Sequence, residues 1–279
     1  MKTCLWIALL AAITAVSAQP TADILRYLQN PEPQLTLRPK ITTADRIRAH
    51  GYPAETHKVT TEDGYIITLF RIPYSHKLQN QDAQRPVVLI QHGLFSCSDA
   101  WMCVGPDSGI GFNLADAGYD VWFGNARGNT YSRNHTSRST NHPYFWRFSW
   151  HEIGHYDIAA MIDYALATNG QGQKAIHYVG HFCLYDYGPT KNMELYGQLT
   201  PPDYPVERIT SEVHLWYGDN DTMAAVEDVE RLAEKLPNRV MHHMEDPSWA
   251  HGDFSLHKEV KKFINDPIIE IMNKFENKL

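Results

Sequence analysis

Past its N-terminal leader the chain has no apolar run approaching the ~18 residues that a membrane-crossing helix requires, which argues against a helical span. It also has no block of clustered lysines and arginines. With Lys+Arg 25 against Asp+Glu 32 and a net charge of −7, it carries no electrostatic footprint for nucleic acid. There is no internal repeat and no low-complexity segment, so solenoid and linker-like architectures drop out. Cysteine is scarce, and one of the four, Cys4, lies in the leader. The three that follow, Cys97, Cys103 and Cys183, are an odd number, so an oxidising compartment leaves at least one free thiol or an intermolecular bond. Cys97 and Cys103 are near enough in sequence to pair, but their spacing does not decide it.

What is present begins with Lys2, the apolar run Cys4–Leu10 and the small-x-small site Val16-Ser17-Ala18. This reads as a secretory signal peptide over residues 1–18, cleaved after Ala18. Cleavage removes Lys2 and no acid, taking the charge from −7 to −8. The expected product is secreted or lysosomal, a monomer without a transmembrane segment. Asn134-His135-Thr136 is a glycosylation sequon in a polar loop. Asn220-Asp221-Thr222 also fits, but it overlaps a candidate site and is not expected to carry glycan. At 279 residues, 43% hydrophobic and 20% charged, the chain suits one large α/β domain or two smaller ones.

The pattern favours a single α/β domain over residues 19–279. Residues 51–75 read as a hairpin turning at Glu62-Asp63-Gly64. "RPVVLIQHGL", "AGYDVWFGNARG", "KAIHYVGH" and "SEVHLWYGDND" are short apolar runs without alternation, as in strands buried on both faces. Helical periods fall over 150–168, closed by Gly170, over "DVERLAEKLPN", stopped by Pro237, and from His257 onward. Strands alternating with helices argue a mostly parallel central sheet with helices on both faces. One connection is anomalous. After "YVGH" a parallel sheet needs a covering helix, yet Gly188-Pro189, Pro201, Pro202 and Pro205 leave room for two helical turns at most.

His151-Glu152-Ile153-Gly154-His155 matches H-E-x-x-H on a helix, a zinc-peptidase pattern with the glutamate as base. The extended form of that pattern needs a glycine and a third histidine, where this chain has Ile158 and Met161. The plainer reading is a helix starting near Trp150 with polar residues facing solvent, with neither metal nor cofactor. Hydrolase signals are stronger because their order is right. Asp221 sits in the loop after one strand and His251 in the loop after the last, where a triad places its acid and base. Leu94, after "QHG", can aim its backbone N–H at an oxyanion.

These segments resemble the acid lipases: the gastric, lysosomal and insect digestive enzymes. "QHGLFSCSDAW", "LADAGYDVWFGNARGNTYSRNH", "FWRFSWHEIGHYDIAAMIDY", "YDYGPTKNMELYG" and "YGDND" through "HGDF" carry the resemblance across most of the chain. It implies an α/β-hydrolase fold, action on triacylglycerols or sterol esters at a lipid–water interface, and no cofactor. By the same resemblance Asp221 and His251 are catalytic, Leu94 lies in the oxyanion hole, and "HEIGH" binds no metal. One departure stands out. The family's strand-ending Gly-His-Ser-Gln-Gly becomes Gly180-His181-Phe182-Cys183-Leu184, so Phe182 occupies the nucleophile's place. The sequence then resumes at "YDYG". The resemblance therefore implies an internal deletion at 181/182 that removes the serine, an oxyanion amide, the covering helix and the cap. Cys183 lies one position late and lacks the flanking glycines of a nucleophile elbow, and no elbow presents Ser96 or Ser98. Two readings follow: a lipid ester hydrolase inactive as written, or a non-catalytic lipid-binding relative.

Overall fold

The computed structural model describes residues 41–93, 96–170, 188–199, 202 and 204–276. The expected strand over "KAIHYVGH" and the junction at His181–Phe182 lie outside the described residues, as does the leader. Helix α1 (Thr43–Ala49) opens the fold under a capping box between Thr42 and Asp45. Strands β1 (Glu55–Thr60) and β2 (Tyr65–Ile72) form the expected hairpin, paired antiparallel from Glu55–Arg71 to Thr60–Ile66. Next come β3 (Val87–Gln91), helix α2 (Ile110–Asp116), β4 (Asp120–Gly124) and the short β5 (Asn134–His135). The first sheet runs β1-β2-β4-β3, with β5 on β2.

Residues in these strands alternate between two apolar clusters. Phe70, Ile72, Val88, Val121 and Phe123 point into one, with α1 and α2. Ile67, Leu69, Leu89 and Trp122 point into the other. A strand buried on both faces has no polar side to alternate with, which is why the sequence reads as unbroken apolar runs. Five strand pairings are described, of which β3–β4 and β6–β7 are parallel. The mostly parallel sheet expected from the sequence is thus mixed among the described residues. The physical reason is the tight hairpin, whose short turn can join only antiparallel strands.

Helix α3 covers the second cluster. It begins as Trp150–Glu152, widens into a π-helical turn over Ile153–Ile158, and continues as Ala159–Asn169. Gly170 ends it at φ +72°, a left-handed conformation that glycine adopts without penalty. Asp157, in the π-turn, is fully buried and meets Arg127. After α4 (Pro189–Tyr196), the remaining strands β6 (Val213–Tyr217) and β7 (Arg239–His243) pair in parallel. Helix α5 (Val226–Lys235) joins them. Helix α6 (Asp253–Leu256) and then α7 (Asp266–Glu276), entered through a π-helical turn at Lys261–Asn265, close the chain. α7 is tied to the first sheet's layer by Tyr119 Oη donating to Asn273 Oδ1 at 2.8 Å.

Two carboxylates link pH to stability. Burial opposes ionisation of Asp63, but the Arg127 guanidinium and the Thr61 hydroxyl hold its carboxyl below the usual value. Burial likewise opposes Asp116, which Lys77, Ser75 and Tyr52 hold low. A carboxyl lowered in the folded state contributes stability that is present above its unfolded pKa of about 4 and lost as pH falls through the lowered folded value. The urea midpoint should therefore fall steeply below about pH 4, and Asp63→Asn should make that fall shallower. A midpoint that stays flat through this range would contradict the assignment.

Candidate active site

Parallel, in-register pairing of β6 and β7, from Val213–Arg239 to Tyr217–His243, makes both strands release their loops at the same end. Strand β6 leads into Gly218-Asp219-Asn220-Asp221, and β7 into the loop that ends at His251. Several contacts bind these loops together. Met244 N–H donates to the Tyr217 carbonyl at 2.9 Å. His243 Nε2 lies 2.8 Å from Asp219 Oδ1, and Asn220 Nδ2 donates to the Ser248 carbonyl at 3.0 Å. Gly218 permits the approach, because a Cβ there would sit 3.1 Å from the Trp249 carbonyl oxygen. The second loop is anchored by Trp249, 2% exposed, with its ring edge-on to Phe254 and Phe263.

Asp221 and His251, distant in sequence, are brought together by this arrangement. Asp221 Oδ2 is 2.9 Å from His251 Nδ1, and the carboxylate is nearly buried, at 4% side-chain exposure. Its other oxygen accepts the backbone N–H groups of Met223 and Ala224, each at 2.9 Å. Those two donors fix the orientation of the carboxylate. The carboxylate holds the imidazole proton on Nδ1, which leaves Nε2 as the basic nitrogen. The His251 side chain is 54% exposed, and among the described residues nothing hydrogen-bonds Nε2. Chemically, this arrangement can serve as a base with its orienting acid.

The loop after β3 is built differently. Ala126 N–H and Asn129 Nδ2 both donate to His92 Nε2, each at 3.1 Å. The ring proton is therefore on Nδ1, donated to the Gly93 carbonyl at 2.7 Å. Burial lowers the His92 pKa, consistent with a neutral ring. Asn129 Nδ2 also donates to Asn125 Oδ1 at 2.9 Å, and Asn125 is fully buried. Leu94, the expected oxyanion donor, lies outside the described residues. His92, Asn125 and Asn129 were not singled out from the sequence. The only signal for them was the pair of asparagines in "GNARGN" beside a strand-ending histidine. Ser98 is committed to structure: its Oγ accepts from Asn125 Nδ2 at 3.0 Å and meets Thr43 Oγ1 at 2.7 Å. Cys103 is an exposed free thiol and is not paired with Cys97.

The "HEIGH" segment lies at the start of α3. Glu152 Oε2 accepts from Ser149 N and Oγ at 2.6 and 2.7 Å, closing a capping box. His151 Nδ1 meets Tyr204 Oη at 2.7 Å. His155 stacks on His151 with centroids 5.5 Å apart. The glutamate is thus occupied at the helix start, as in the plainer reading of this motif. A cavity of about 370 Å³ beside α3, lined by Val59, Glu62, His155, Tyr156 and Asp163 among others, contains neither Asp221 nor His251. Asn134, the other sequon, is exposed and pairs with Ile66.

Known proteins place this geometry in context. A family described as a partial α/β-hydrolase lipase region matches residues 43–105. The α/β-hydrolase fold family matches residues 86–181. An esterase from Pyrococcus furiosus superposes with a TM-score of 0.51 over 81% of this chain and 92% of its own, at 15% identity, a likeness of fold. Gastric triacylglycerol lipase of Bos taurus is 40% identical over 176 residues, and lipase member K of Mus musculus is 35% identical over 235. The chain spans 42% and 57% of their respective lengths. Lipase 3 of Drosophila melanogaster is 30% identical over 373 positions, covering 86% of this chain and 94% of that protein. Since this chain has only 279 residues, at least 94 of those positions face no residue here. Shared segments at both ends of Lipase 3, over nearly its whole length, establish that the chain belongs to the acid lipase family of α/β-hydrolases.

Proposed function

We propose that this chain is a secreted or lysosomal acid-lipase relative, a monomer, that keeps the base half of a lipid ester hydrolase and has lost its nucleophile. The observation that carries the reading is the Asp221–His251 pair at 2.9 Å, beside a sequence with Phe182 where the family places serine. In a complete relative the freed Nε2 would take the serine proton, and backbone amides, Leu94's among them, would hold the oxyanion. Lipid esters are the substrate class that the names of the gastric relatives support. The fold-family match ending at residue 181 and the unmatched positions of Lipase 3 support a deletion at the 181/182 junction within one domain over 19–279. A signal peptide over 1–18 and glycan on Asn134 complete the reading.

The test is ester turnover by the purified chain. Tributyrin and cholesteryl oleate should be hydrolysed no faster than by a His251→Ala variant. Turnover that His251→Ala abolishes would overturn the proposal.

A further inference from the structure

The 31 residues between Asp120 and Glu152 contain no Asp or Glu, although the chain as a whole carries −7. They contain four arginines, 127, 133, 138 and 147. Arg127 is buried and neutralised by Asp63 and Asp157. The other three are exposed and meet no carboxylate among the described residues. Two of them lie against aromatic rings instead. Arg147 Cζ sits 4.1 Å from the Tyr144 ring centroid, and Arg133 Cζ 5.6 Å from that of Trp146.

Those rings face solvent: Tyr144 is 52% exposed, Trp146 43% and Trp150 54%. Among the described residues, Trp146 and Trp150 are the tryptophans with large exposure. They are held in place, not loose. The 3₁₀ turn Pro143–Trp146 is pinned by buried Phe145, whose carbonyl accepts the Tyr65 hydroxyl. Trp146 Nε1 donates to the Thr140 carbonyl at 2.8 Å. Trp150 is the first residue of α3, whose start is held by the Ser149–Glu152 capping box. Arg133 donates to the Gly128 carbonyl at 3.3 Å and Arg138 hydrogen-bonds Tyr65. A set of exposed indole and phenol rings interleaved with guanidiniums that meet no carboxylate among the described residues, on an otherwise acidic protein, has a specific chemistry. Tyr and Trp favour the boundary between polar headgroups and acyl chains, while arginines without a carboxylate partner are drawn to anionic headgroups over about a Debye length.

We propose that the face formed by Arg133, Arg138, Tyr144, Trp146, Arg147 and Trp150 docks the protein onto an anionic lipid surface. Nucleic acid fits less well, because the Tyr144 ring already carries Arg147 and stacks on His142 at 5.1 Å, which takes up the face that a base would need. The proposal rests on the lipid reading above for its choice of partner. Docking is read without turnover, so either reading can fail while the other stands.

The experiment is flotation of the full chain with vesicles of phosphatidylcholine alone or mixed with phosphatidylserine, at low and physiological salt. Binding is expected to the mixed vesicles, weakening with salt. Each surface arginine is worth about fivefold, so Arg133→Gln with Arg147→Gln should weaken binding about 25-fold with an unchanged melting profile. Trp150→Ala should weaken binding to the mixed vesicles at both salt concentrations, because it removes the apolar contribution. Failure to bind mixed vesicles, equal binding by the double arginine variant, or preference for poly(dT) over vesicles would each overturn the proposal.

Discussion

Inserting at the 181/182 junction the block whose absence the acid-lipase resemblance implies should convert a chain proposed to be silent into an ester hydrolase. The expected gain is large. Loss of the serine from a serine hydrolase costs on the order of 10⁶ in kcat, and the inserted block would restore the serine along with the second oxyanion amide. The proposed acid and base already lie 2.9 Å apart. Asp221 is fixed by two amides and orients His251, whose Nε2 meets no described partner. Nothing at Asp221 or His251 has to be rebuilt, so activity depends on the nucleophile meeting Nε2. In the repaired protein His251→Ala should remove nearly all of the gain, and Asp221→Asn should remove much of it by releasing the tautomer. A folded, repaired protein without turnover would mean that the pair is not positioned to serve a nucleophile at that junction.

Arg127→Ala should cost roughly 3–5 kcal/mol of stability, the range for stripping one partner from a buried charge pair. Arg127 Nε donates to Asp157 Oδ1 at 2.9 Å, and its Nη2 lies 2.8 Å from the same oxygen. The side chains of Arg127 and Asp157 are 1% and 0% exposed. The same guanidinium clamps Asp63 in the hairpin turn and lies 3.9 Å from the Tyr65 ring centroid. Truncation would leave the Asp157 carboxylate buried with the Arg127 backbone N–H as its remaining donor from that residue. Against a typical stability of about 5–15 kcal/mol this is a large fraction, readable in the urea midpoint. Arg127→Lys should recover only part of the loss, because an ammonium cannot serve two carboxylates in a fork. A change below about 1 kcal/mol, the size of an exposed ion pair, would show that the clamp is not what joins the hairpin to α3.

Much of this arrangement can be read from local pattern. The β1–β2 hairpin, the buried β3 and β4, the span of α3 and the stop at Pro237 follow from residue periods, glycines and prolines. Asp221 and His251 could be picked out because each follows a strand in the right chain order. The π-turn at Ile153–Ile158 could not. It shifts the helical register to bury Asp157 against Arg127, and that pairing of residues far apart in sequence leaves no periodic trace. Nor could the role of Glu152 be settled by motif. "HEIGH" reads alike as a zinc pattern and as a capping box, and only Ser149's position distinguishes them. His92 was hidden for a similar reason. Its tautomer is set by donors from Ala126 and Asn129, over thirty residues away.

The retained base without a nucleophile is tested most directly by labelling the purified 279-residue chain with a fluorophosphonate probe, which reports an activated serine independently of substrate preference. The expected result is no adduct, the same as for His251→Ala. A stoichiometric adduct that disappears in the His251→Ala variant would contradict the account.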